Sequence, residues 1–575
     1  MNLFKEYQKK IFKSLKNLQT NKLIQIPPKF KKFTIELPPK NQNADLSCNV
    51  AMILSKFNKI PPIEMAKILR KKLLSDFKEF KNIDIAGPGF LNISFQVSFW
   101  KKYLTNVIKL DSQYGSYKNS PRKYNIEFVS ANPTGPLHVG HCRGAVLGDA
   151  ISNLLIFNGN KVIKEYYVND YGEQIKKFID SVYYRILEIL GKQSFPDNKE
   201  LYPGLYIVDI AKKIIKKNSI KNFSDKNKIH KKLTSESLKY SMELIKDNLN
   251  SLGIKHDSFV YESNLISNKL VLKTINKLKK RKFIYKGKLP EPKGEQKKNW
   301  KIRDQLLFKS TSFGDDNDRP LQKEDGSWTY FAGDMAYHAH KISRKFDVLI
   351  NILGADHAGY IKRIESATSA ISNNKVVLKC KVSQLVKLFK NGEPFKMSKR
   401  QGDYINVEDL IKEVGKDSTR FMMLNRSNDV ELDFDFERVT EKSKDNPVFY
   451  VQYAYARINS IFRLLKLGLK EKIKIEDKKF ELNQYEIDIL KKISEWPRCI
   501  ELSSIKLEPH RIPFYLYELV TLFHSYWNLG KDNKEFRFIS DGKTLNNARL
   551  VLLQALSIVI KNGMLILGVT TPSKM

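Results

Sequence analysis

The sequence predicts an α/β protein: a parallel-sheet domain at 116–440, with a small α+β segment before it and an all-helical segment after it. Two strand-like runs support the parallel sheet, because each leads directly into a turn and a helix-like pattern. The first, residues 124–129, is rich in aromatic and β-branched side chains. The second, residues 348–353, is almost continuously apolar, which is typical of a strand buried on both faces. Strands that alternate with helices indicate a parallel sheet.

The segment 1–115 is predicted to be the α+β domain. Residues 1–18 carry apolar side chains at helical spacing among lysines, which predicts a helix. Residues 33–37 and 90–95 have the pattern of strands, and residues 46–58 have that of a helix. Since no catalytic group of residues stands out here, we expect a folding or docking domain.

In the central domain the pattern becomes helical at Leu137, and Asn158-Gly159 is a typical helix end. Residues 162–168 and 328–332 have the pattern of strands. Between them, residues 200–325 are Lys-rich and helical in period. The central domain is therefore predicted to contain two α/β parts separated by a helical stretch.

The segment 441–575 is predicted to be all helical. Its helices are predicted at 448–467, 513–527 and 546–567. Aromatic residues at helical spacing are typical of a core, and stacking on RNA bases is the alternative.

The chain has 575 residues and a formal net charge of +39. A polyanionic partner explains this charge, and a general lysine bias over the surface is the alternative. No apolar run reaches membrane-spanning length. A disulfide framework and a Cys-based zinc site are excluded by the wide spacing of the cysteines, which are Cys48, Cys142, Cys380 and Cys499. We expect a protein of the reducing cytoplasm with no membrane segment.

The first motif is Ser-Ala-Asn-Pro-Thr-Gly-Pro-Leu-His-Val-Gly-His at 130–141. His138 and His141 are three apart, so both lie on one side of the first helical turn. Gly140 between them lets a flat ring approach the backbone. Imidazoles at the positive end of a helix suit a nucleoside triphosphate. Two histidines that merely cap a helix are the alternative.

The second motif is Phe-Lys-Met-Ser-Lys-Arg-Gln-Gly-Asp at 395–403. Lys396 and Lys399 beside Gly402 predict a mobile basic loop that can close on phosphates. Alone, it would be an ordinary exposed loop.

These two motifs resemble the HIGH and KMSKS signatures of class I aminoacyl-tRNA synthetases, and residues 127–141 are similar to the bacterial-type arginyl-tRNA synthetase version. The resemblance extends over the whole chain. It implies a split Rossmann-type catalytic domain at 116–440 with a helical insertion at about 200–325. It also implies an N-terminal tRNA-contacting domain at 1–115 and a helical anticodon-binding domain at 441–575.

The resemblance implies ATP-dependent attachment of L-arginine to its cognate tRNA through arginyl-adenylate. His138, His141, Lys396 and Lys399 would be the catalytic residues, and magnesium would arrive with ATP. The family needs bound tRNA before it activates arginine, and we expect a monomer. The implied ATP-binding residues are Ala131, Asn132, Pro133, Thr134, Gly135, Pro136, Leu137, His138, Val139, Gly140, His141, Lys396, Met397, Ser398 and Lys399.

A site for arginine needs paired acceptors, because a guanidinium is always charged and carries five donors in a fixed fork. The resemblance implies that Asp334 and Tyr330 hold the side chain. It also implies that Glu127 and Asn132 hold the α-amino end, and that His357 lines the pocket. For Asp334, a helix N-cap is the alternative, because the pattern is helical from the next residue on.

Other enzymes remain as alternatives: another class I synthetase, or a smaller His-x-Gly-His nucleotidyltransferase, which would not explain the helical C-terminus. An RNA-binding protein with an inactive core is a further one, and the intact motif residues argue against it. Many family members lack the second KMSKS lysine and have a lysine just before the HIGH motif. Here Lys399 is present and Gly135 stands at the upstream position, so the two choices agree. We expect no metal site, because His338 and His340 are two apart and would lie on different helix faces.

Overall fold

The computed structural model describes residues 2–28, 30, 33–39, 42–117, 120–289, 303–395, 405–473, 481–540, 543, 544 and 546–575. The chain forms two compact units. The first contains both ends of the chain, Met1–Lys118 with Lys442–Ile566 and Thr570–Met575, and the second is Asn119–Glu441 with Leu567–Val569. The division into three functional domains at 115 and 440 stays a prediction.

The N-terminal part of the first unit has an antiparallel sheet of strand order β1-β2-β4-β3, in which β1 is Ile35–Glu36, β2 is Leu46–Cys48, β3 is Phe80–Ala86 and β4 is Phe90–Phe95. The predicted helix at 46–58 is wrong in its first residues. Leu46 and Cys48 are buried and pair with β4, since their spacing of two is that of a strand, and the helix begins at Val50. The elements are α1 (Leu3–Thr20), β1 (Ile35–Glu36), β2 (Leu46–Cys48), α2 (Val50–Asn58), α3 (Pro62–Asp76), β3 (Phe80–Ala86), β4 (Phe90–Phe95) and α4 (Val97–Leu110).

The second unit is built on a parallel sheet. Its elements are β5 (Lys123–Glu127), α5 (Val139–Phe157), β6 (Lys161–Val168), α6 (Glu173–Ile189), α7 (Leu205–Lys217), α8 (Lys226–Ser251), β7 (Ser258–Tyr261), α9 (Glu262–Ser267), α10 (Leu270–Lys280), β8 (Ile284–Gly287), β9 (Gln305–Phe308), β10 (Arg319–Pro320), α11 (Tyr330–Ser343), β11 (Val348–Gly354), α12 (Ile361–Ser372), β12 (Val377–Ser383), β13 (Val386–Lys390), β14 (Glu393–Pro394), α13 (Val407–Val414), α14 (Lys416–Leu424), β15 (Leu432–Asp435) and α15 (Phe436–Thr440).

The five strands of this sheet run in the order β12-β11-β5-β6-β7, and every neighbouring pair is parallel. The chain winds outward from β5 through β6 to β7, then returns to β11 on the other side of β5. The winding direction therefore reverses between β5 and β11. In doubly wound folds, ligands bind in the crevice at the carboxyl ends of the two strands that flank such a switch point.

Two predictions for this unit are wrong in part. The stretch 200–325 was expected to be helical, but β7 lies within it and forms the edge of the parallel sheet. Residues 328–332 were expected to be a strand. Instead, Thr329 caps α11 by accepting from the Ala332 N–H at 3.3 Å, so the helix begins at Tyr330. That cap also excludes Asp334 as the N-cap of this helix.

The helix that follows the first motif is anchored by buried charges. Asp149 of α5 pairs with Lys164 at 2.6 Å and with Arg420 of α14 at 2.5 Å. Arg420 is fully buried, and it also donates to the carbonyls of Leu252 at 2.9 Å and Leu567 at 2.8 Å. A buried guanidinium with this set of partners fixes α5, and thereby the first motif, against its neighbours.

The C-terminal part of the first unit is helical, and the predicted helices at 448–467, 513–527 and 546–567 are confirmed within a few residues. In the described part of the chain, α19 (Asn547–Leu567) is the one helix that is long and apolar enough to cross a membrane. However, 83% of its most apolar 18-residue stretch is buried, as in a core helix. The elements are α16 (Pro447–Leu464), α17 (Gln484–Lys506), α18 (Arg511–Asp532), β16 (Ile539–Ser540), β17 (Lys543–Thr544) and α19 (Asn547–Leu567).

The two ends of the chain share a core around Tyr114 and Trp496. The Tyr114 hydroxyl donates to the Ile493 carbonyl at 2.8 Å, and Trp496 Nε1 donates to the Tyr114 carbonyl at 3.0 Å. Gly115 has a φ of +94°, and a Cβ there would lie 2.3 Å from the Trp496 ring. Lys491, nearly buried, pairs with Asp45 at 3.0 Å. These contacts make the N-terminal and helical parts one packed body.

Candidate active site

The first motif forms the turn from β5 into the N-terminus of α5, at the switch point of the sheet. His138 is the N-cap, and its Nδ1 accepts from the Gly140 N–H at 3.1 Å. His141 Nδ1 accepts from the His138 N–H at 3.3 Å, and the ring centroids are 3.9 Å apart. The two histidines therefore do cap the helix, and the same rings lie at its positive end.

Both imidazoles are neutral near pH 7. Burial lowers the pKa of His138, and burial together with the neighbouring His138 lowers the pKa of His141 to about 3. A ligand at this helix end therefore meets hydrogen-bonding groups and the helix dipole rather than imidazolium charge.

The loop of the first motif is held from several sides. Tyr166 donates to the Ala131 carbonyl at 2.8 Å. Tyr206 of α7 donates to the Thr134 carbonyl at 3.0 Å, and its ring would lie 2.9 Å from a Cβ at Gly135. A side chain at Gly135 would therefore displace Tyr206.

Further contacts fix the two ends of this loop. At its end, the Leu137 N–H donates to Asn248 Oδ1 at 2.9 Å. At its start, Val129 and Ser130 have φ values of 70° and 44°. Since non-glycine residues rarely adopt this left-handed conformation, the strand ends at Glu127 rather than at the predicted residue 129.

Lys396, Met397, Ser398 and Lys399 of the second motif lie outside the described residues. The described part of the chain resumes at Ile405, and two backbone hydrogen bonds pair residues 405 and 407 with the first motif. The Val139 N–H donates to the Ile405 carbonyl at 3.1 Å, and the Val407 N–H donates to the Leu137 carbonyl at 3.0 Å. Residue 405 is thus held against the start of α5.

Two of the predicted arginine-binding residues are carboxylates, one at the end of a strand and one on a helix. Glu127 ends β5, and its Oε2 lies 2.5 Å from Lys341 Nζ. Asp334 lies on α11, and its Oδ2 accepts from the Tyr360 hydroxyl at 2.5 Å. Burial, together with the carboxylates of Glu127 and Glu262, raises the pKa of Asp334 to about 7, against the lowering effects of Tyr360 and Lys341.

Two more carboxylates, which are not among the predicted arginine-binding residues, lie at the same place. The pKa of Tyr167, at the end of β6, is raised by burial and by four carboxylates. We call these four the acidic pocket: Glu127, Asp170, Glu262 and Asp334. Asp170 follows β6, and Glu262 follows β7 directly. Predicting β7 in the sequence would have put Glu262 at this sheet edge.

Within the acidic pocket, the carboxylates have different surroundings. The pKa of Glu262 is raised by burial and by Asp170. Asp170 accepts from the N–H and hydroxyl of Ser263 at 2.9 and 2.6 Å, so it fixes the turn into α9. Glu262 and Asp334 are thus the carboxylates most in need of a positive partner.

The remaining predicted residues are arranged differently. The Asn132 amide donates to Gln174 Oε1 at 2.5 Å. Tyr330, in the first turn of α11, is 79% exposed. The His357 side chain is 61% exposed, with Nε2 3.4 Å from Asp356 Oδ2.

Comparison with known proteins follows this geometry. Residues 103–462 match the family model described as tRNA synthetases class I (R), catalytic domain. The chain belongs to the arginyl-tRNA synthetases. Residues 5–95 match the arginyl tRNA synthetase N terminal domain, and residues 451–575 match the DALR anticodon binding domain.

Relatives of this arginyl-tRNA synthetase are similar over their full length. It is 56% identical over 577 residues to the arginine–tRNA ligase of Pelagibacter ubique (strain HTCC1062), and 42% identical over 585 residues to that of Rhizobium etli (strain CIAT 652). Each match covers 100% of both chains. The arginyl-tRNA synthetase structure from Thermus thermophilus has the same fold, with a TM-score of 0.71 at 18% identity and 100% of both chains covered.

Family membership establishes the activity predicted from the sequence. The enzyme attaches L-arginine to its cognate tRNA in an ATP-dependent reaction, through the adenylate that is general to the family.

Proposed function

We propose that the acidic pocket binds the guanidinium of arginine, chiefly through Asp334 and Glu262. The observation that carries this proposal is the convergence of four carboxylates around Tyr167. These carboxylates are partly buried, and their mutual repulsion destabilises the charged form of the empty pocket. A guanidinium relieves that repulsion and offers five donors in a fixed fork. Tyr330, at the start of the same helix, would close over the side chain.

Glu127 and Asn132 would hold the α-amino end of arginine, with His357 lining the pocket. Glu127 supports this assignment because it ends β5, directly before the loop of the first motif. An amino acid held between Asp334 and Glu127 would direct its carboxylate toward the helix N-terminus, where we place the phosphates.

ATP would bind at the start of α5, along residues 131–141. His138 and His141, as neutral groups, would hydrogen-bond phosphate oxygens while the helix dipole attracts their charge. Lys396 and Lys399, with Met397 and Ser398, would close on the leaving pyrophosphate. Residue 405, just past that motif, is paired with Val139, which supports closure at this point.

In the first step, an arginine carboxylate oxygen attacks the α-phosphorus and pyrophosphate leaves. In the second, a ribose hydroxyl of the terminal tRNA adenosine attacks the activated carbonyl and AMP leaves. The protein aligns the reactants and stabilises the charge that develops on the phosphates. Magnesium would enter bound to the ATP phosphates.

We also propose that residues 1–115 and 441–575 contact the tRNA and that 200–325 includes an insertion in the catalytic domain. The enzyme would act as a monomer, because one chain carries all of these segments. It would act in the cytoplasm, where widely separated free cysteines are stable, and without a membrane, since the apolar helix Asn547–Leu567 is mostly buried in the protein core. The charge of +39 supports a polyanionic partner.

Pyrophosphate exchange with all twenty amino acids, with and without arginine tRNA, tests this proposal. Of the twenty amino acids, we expect only arginine to support exchange, and only when tRNA is present. We also expect aminoacylation to become steeply slower as the salt concentration rises. Lys399→Ala should slow exchange strongly. Exchange by Lys399→Ala at the wild-type rate would contradict the role of the loop.

The arginine pocket is tested by Asp334→Asn, which should reduce the preference for arginine over the uncharged analogue citrulline and leave the KM for ATP nearly unchanged. Asp316→Asn is a matched control, because Asp316 is exposed and pairs only with Lys362 among the contacts described. Wild-type selectivity in Asp334→Asn would place the pocket elsewhere.

A further inference from the structure

A fully buried lysine lies behind the acidic pocket. The Lys341 side chain is 0% exposed. Its Nζ lies 2.5 Å from Glu127 Oε2, 3.0 Å from Asn351 Oδ1 and 4.4 Å from the centroid of the Tyr337 ring. Lysine is almost never buried unless it is paired, because removing an ammonium from water costs several kcal/mol.

The two oxygen partners of Lys341 lie on either side of the switch point. Glu127 ends β5, and Asn351 is its register partner on β11. Lys341 therefore joins the two strands whose carboxyl ends flank the crevice, and it approaches them from α11, the helix that also carries Asp334.

Hydrogen bonds continue from Lys341 to Asp334. The Asn351 amide nitrogen lies 3.0 Å from His338 Nε2, and His338 Nδ1 lies 2.9 Å from the Asp334 carbonyl oxygen. Burial lowers the pKa of His338 to about 3, so the ring is neutral. One tautomer satisfies both contacts: Nδ1–H donates to the carbonyl, and Nε2 accepts from the amide.

We infer that Lys341 is a positioning residue for arginine, which orients Glu127 and supplies an internal positive charge that opposes protonation of the empty acidic pocket. This inference rests on the proposed roles of Glu127 and Asp334. The hydrogen-bonded path through Asn351 and His338 connects the groups proposed to hold the two ends of the substrate.

The charge of Lys341 acts on a crowded set of groups. It lowers the pKa of Asp334, against burial and the neighbouring carboxylates. Without it, Asp334 would bind a proton more tightly and lose its attraction for a guanidinium at neutral pH. The titratable groups that face Asp334 are Glu127 on β5, Tyr167 on β6, Glu262 on α9, Tyr360 before α12 and Lys341 on its own helix, with Asp170 beside Glu262.

The same helix offers a matched control one turn further on. Arg344 pairs with both carboxylate oxygens of Glu165, at 2.6 and 2.8 Å. Glu165 is buried on β6 and has no exposed side-chain area. Arg344 is the C-cap of α11, and its side chain is 26% exposed, against 0% for Lys341. Like Lys341, it pairs with a carboxylate at the parallel sheet, but neither Arg344 nor Glu165 is among the groups that shift the pKa of Asp334.

The test compares Lys341→Met, Lys341→Arg and Arg344→Met in tRNA-dependent pyrophosphate exchange from pH 6 to pH 9. For Lys341→Met we expect the KM for arginine to rise about fivefold at pH 7, as its pH midpoint moves up by about one unit. That KM should recover toward wild type at pH 9, while kcat and the KM for ATP stay within about threefold. Lys341→Arg should restore the wild-type profile, because it keeps the charge.

Several results would overturn the inference. An unchanged pH profile of the arginine KM in Lys341→Met would do so, as would an equal shift in Arg344→Met, which would reveal a general effect of lost packing. If Lys341→Met does not fold, Lys341→Gln keeps a donor for Glu127 and carries the same expectation. Asp334→Asn is measured alongside to separate this inference from the proposed function. If Asp334→Asn leaves the KM for arginine unchanged, the proposed pocket is wrong. If Asp334→Asn raises that KM but the Lys341 variants keep the wild-type KM, only the inference about Lys341 is wrong.

Discussion

Arginine should bind this enzyme more weakly as the pH falls below neutrality, because Asp334 must lose a proton to bind a guanidinium. Its pKa in the empty pocket is raised to about 7 by burial and by Glu127 and Glu262. Arginine itself stays charged throughout this range. Binding of the substrate should therefore release a proton from the pocket near pH 7.

The size of the effect follows from the pKa. With a midpoint of about 7, the KM for arginine should lie about twofold above its high-pH limit at pH 7 and about tenfold above it at pH 6. In Asp334→Asn the position is neutral at every pH, so the KM should be raised about 10- to 100-fold by loss of a charged hydrogen bond and should vary little with pH.

The same shift acts on stability, with a defined sign. Folding raises the pKa of Asp334 from 3.8 to about 7, so the folded enzyme binds this proton more tightly than the unfolded chain. The proton on Asp334 therefore adds about 4 kcal/mol to the free energy of unfolding below pH 3.8, and this contribution is lost as the pH rises through 7. Saturating arginine should therefore raise the melting temperature more at pH 8 than at pH 6.

The assay is the KM for arginine in tRNA-dependent pyrophosphate exchange between pH 6 and pH 9, with the KM for ATP measured in parallel. Calorimetry in two buffers of different ionisation enthalpy would count the protons released. A wild-type arginine KM that is flat from pH 6 to pH 8, or an Asp334→Asn variant with the wild-type profile, would refute the reasoning.

Three further expectations concern the ATP site and its support. His141→Ala should raise the activation free energy by about 3 kcal/mol and so lower kcat on the order of a hundredfold, with little change in the KM for arginine; an unchanged kcat with a raised KM for arginine would contradict this. Tyr206→Phe removes the hydrogen bond to the Thr134 carbonyl, so the KM for ATP should rise about fivefold, and an unchanged value would show that the loop does not need it. Arg420→Met removes one of the two cations paired with the buried Asp149 and the donor to the Leu252 and Leu567 carbonyls, so it should destabilise the protein by about 3–5 kcal/mol in urea unfolding, whereas Arg426→Met, at an exposed position, should not; equal midpoints would refute the anchoring role of Arg420.

The sequence predicted the parts of this molecule that depend on local chemistry. The turn before α5 is an example: prolines, a glycine and a capping histidine leave the chain few alternatives there. The stretch 328–332 was misassigned because its aromatic residues suit a strand, whereas the Thr329 side chain sets the helix start. Here a single N-cap hydrogen bond outweighed the strand propensity of the aromatic residues.

The acidic pocket could be predicted only in part, because it depends on register. Glu262 enters it through β7, which has only four residues and lies in a Lys-rich helical context. Lys341 could not be predicted either, since nothing in the sequence distinguishes one buried lysine from the many exposed ones. Its pairing with Glu127 arises only when β5 and α11 are packed together.

The shared core of the two chain ends has a consequence for synthesis. Trp496 follows Tyr114 by 382 residues, so at roughly 5–20 residues per second the ribosome needs on the order of 20–80 s to supply it. Throughout that interval, the face of the N-terminal segment that carries Tyr114 and Asp45 is not covered by Trp496 and Lys491 and stays exposed to solvent. The two ends can therefore close into one body only late, after residues 119–441 have been synthesised.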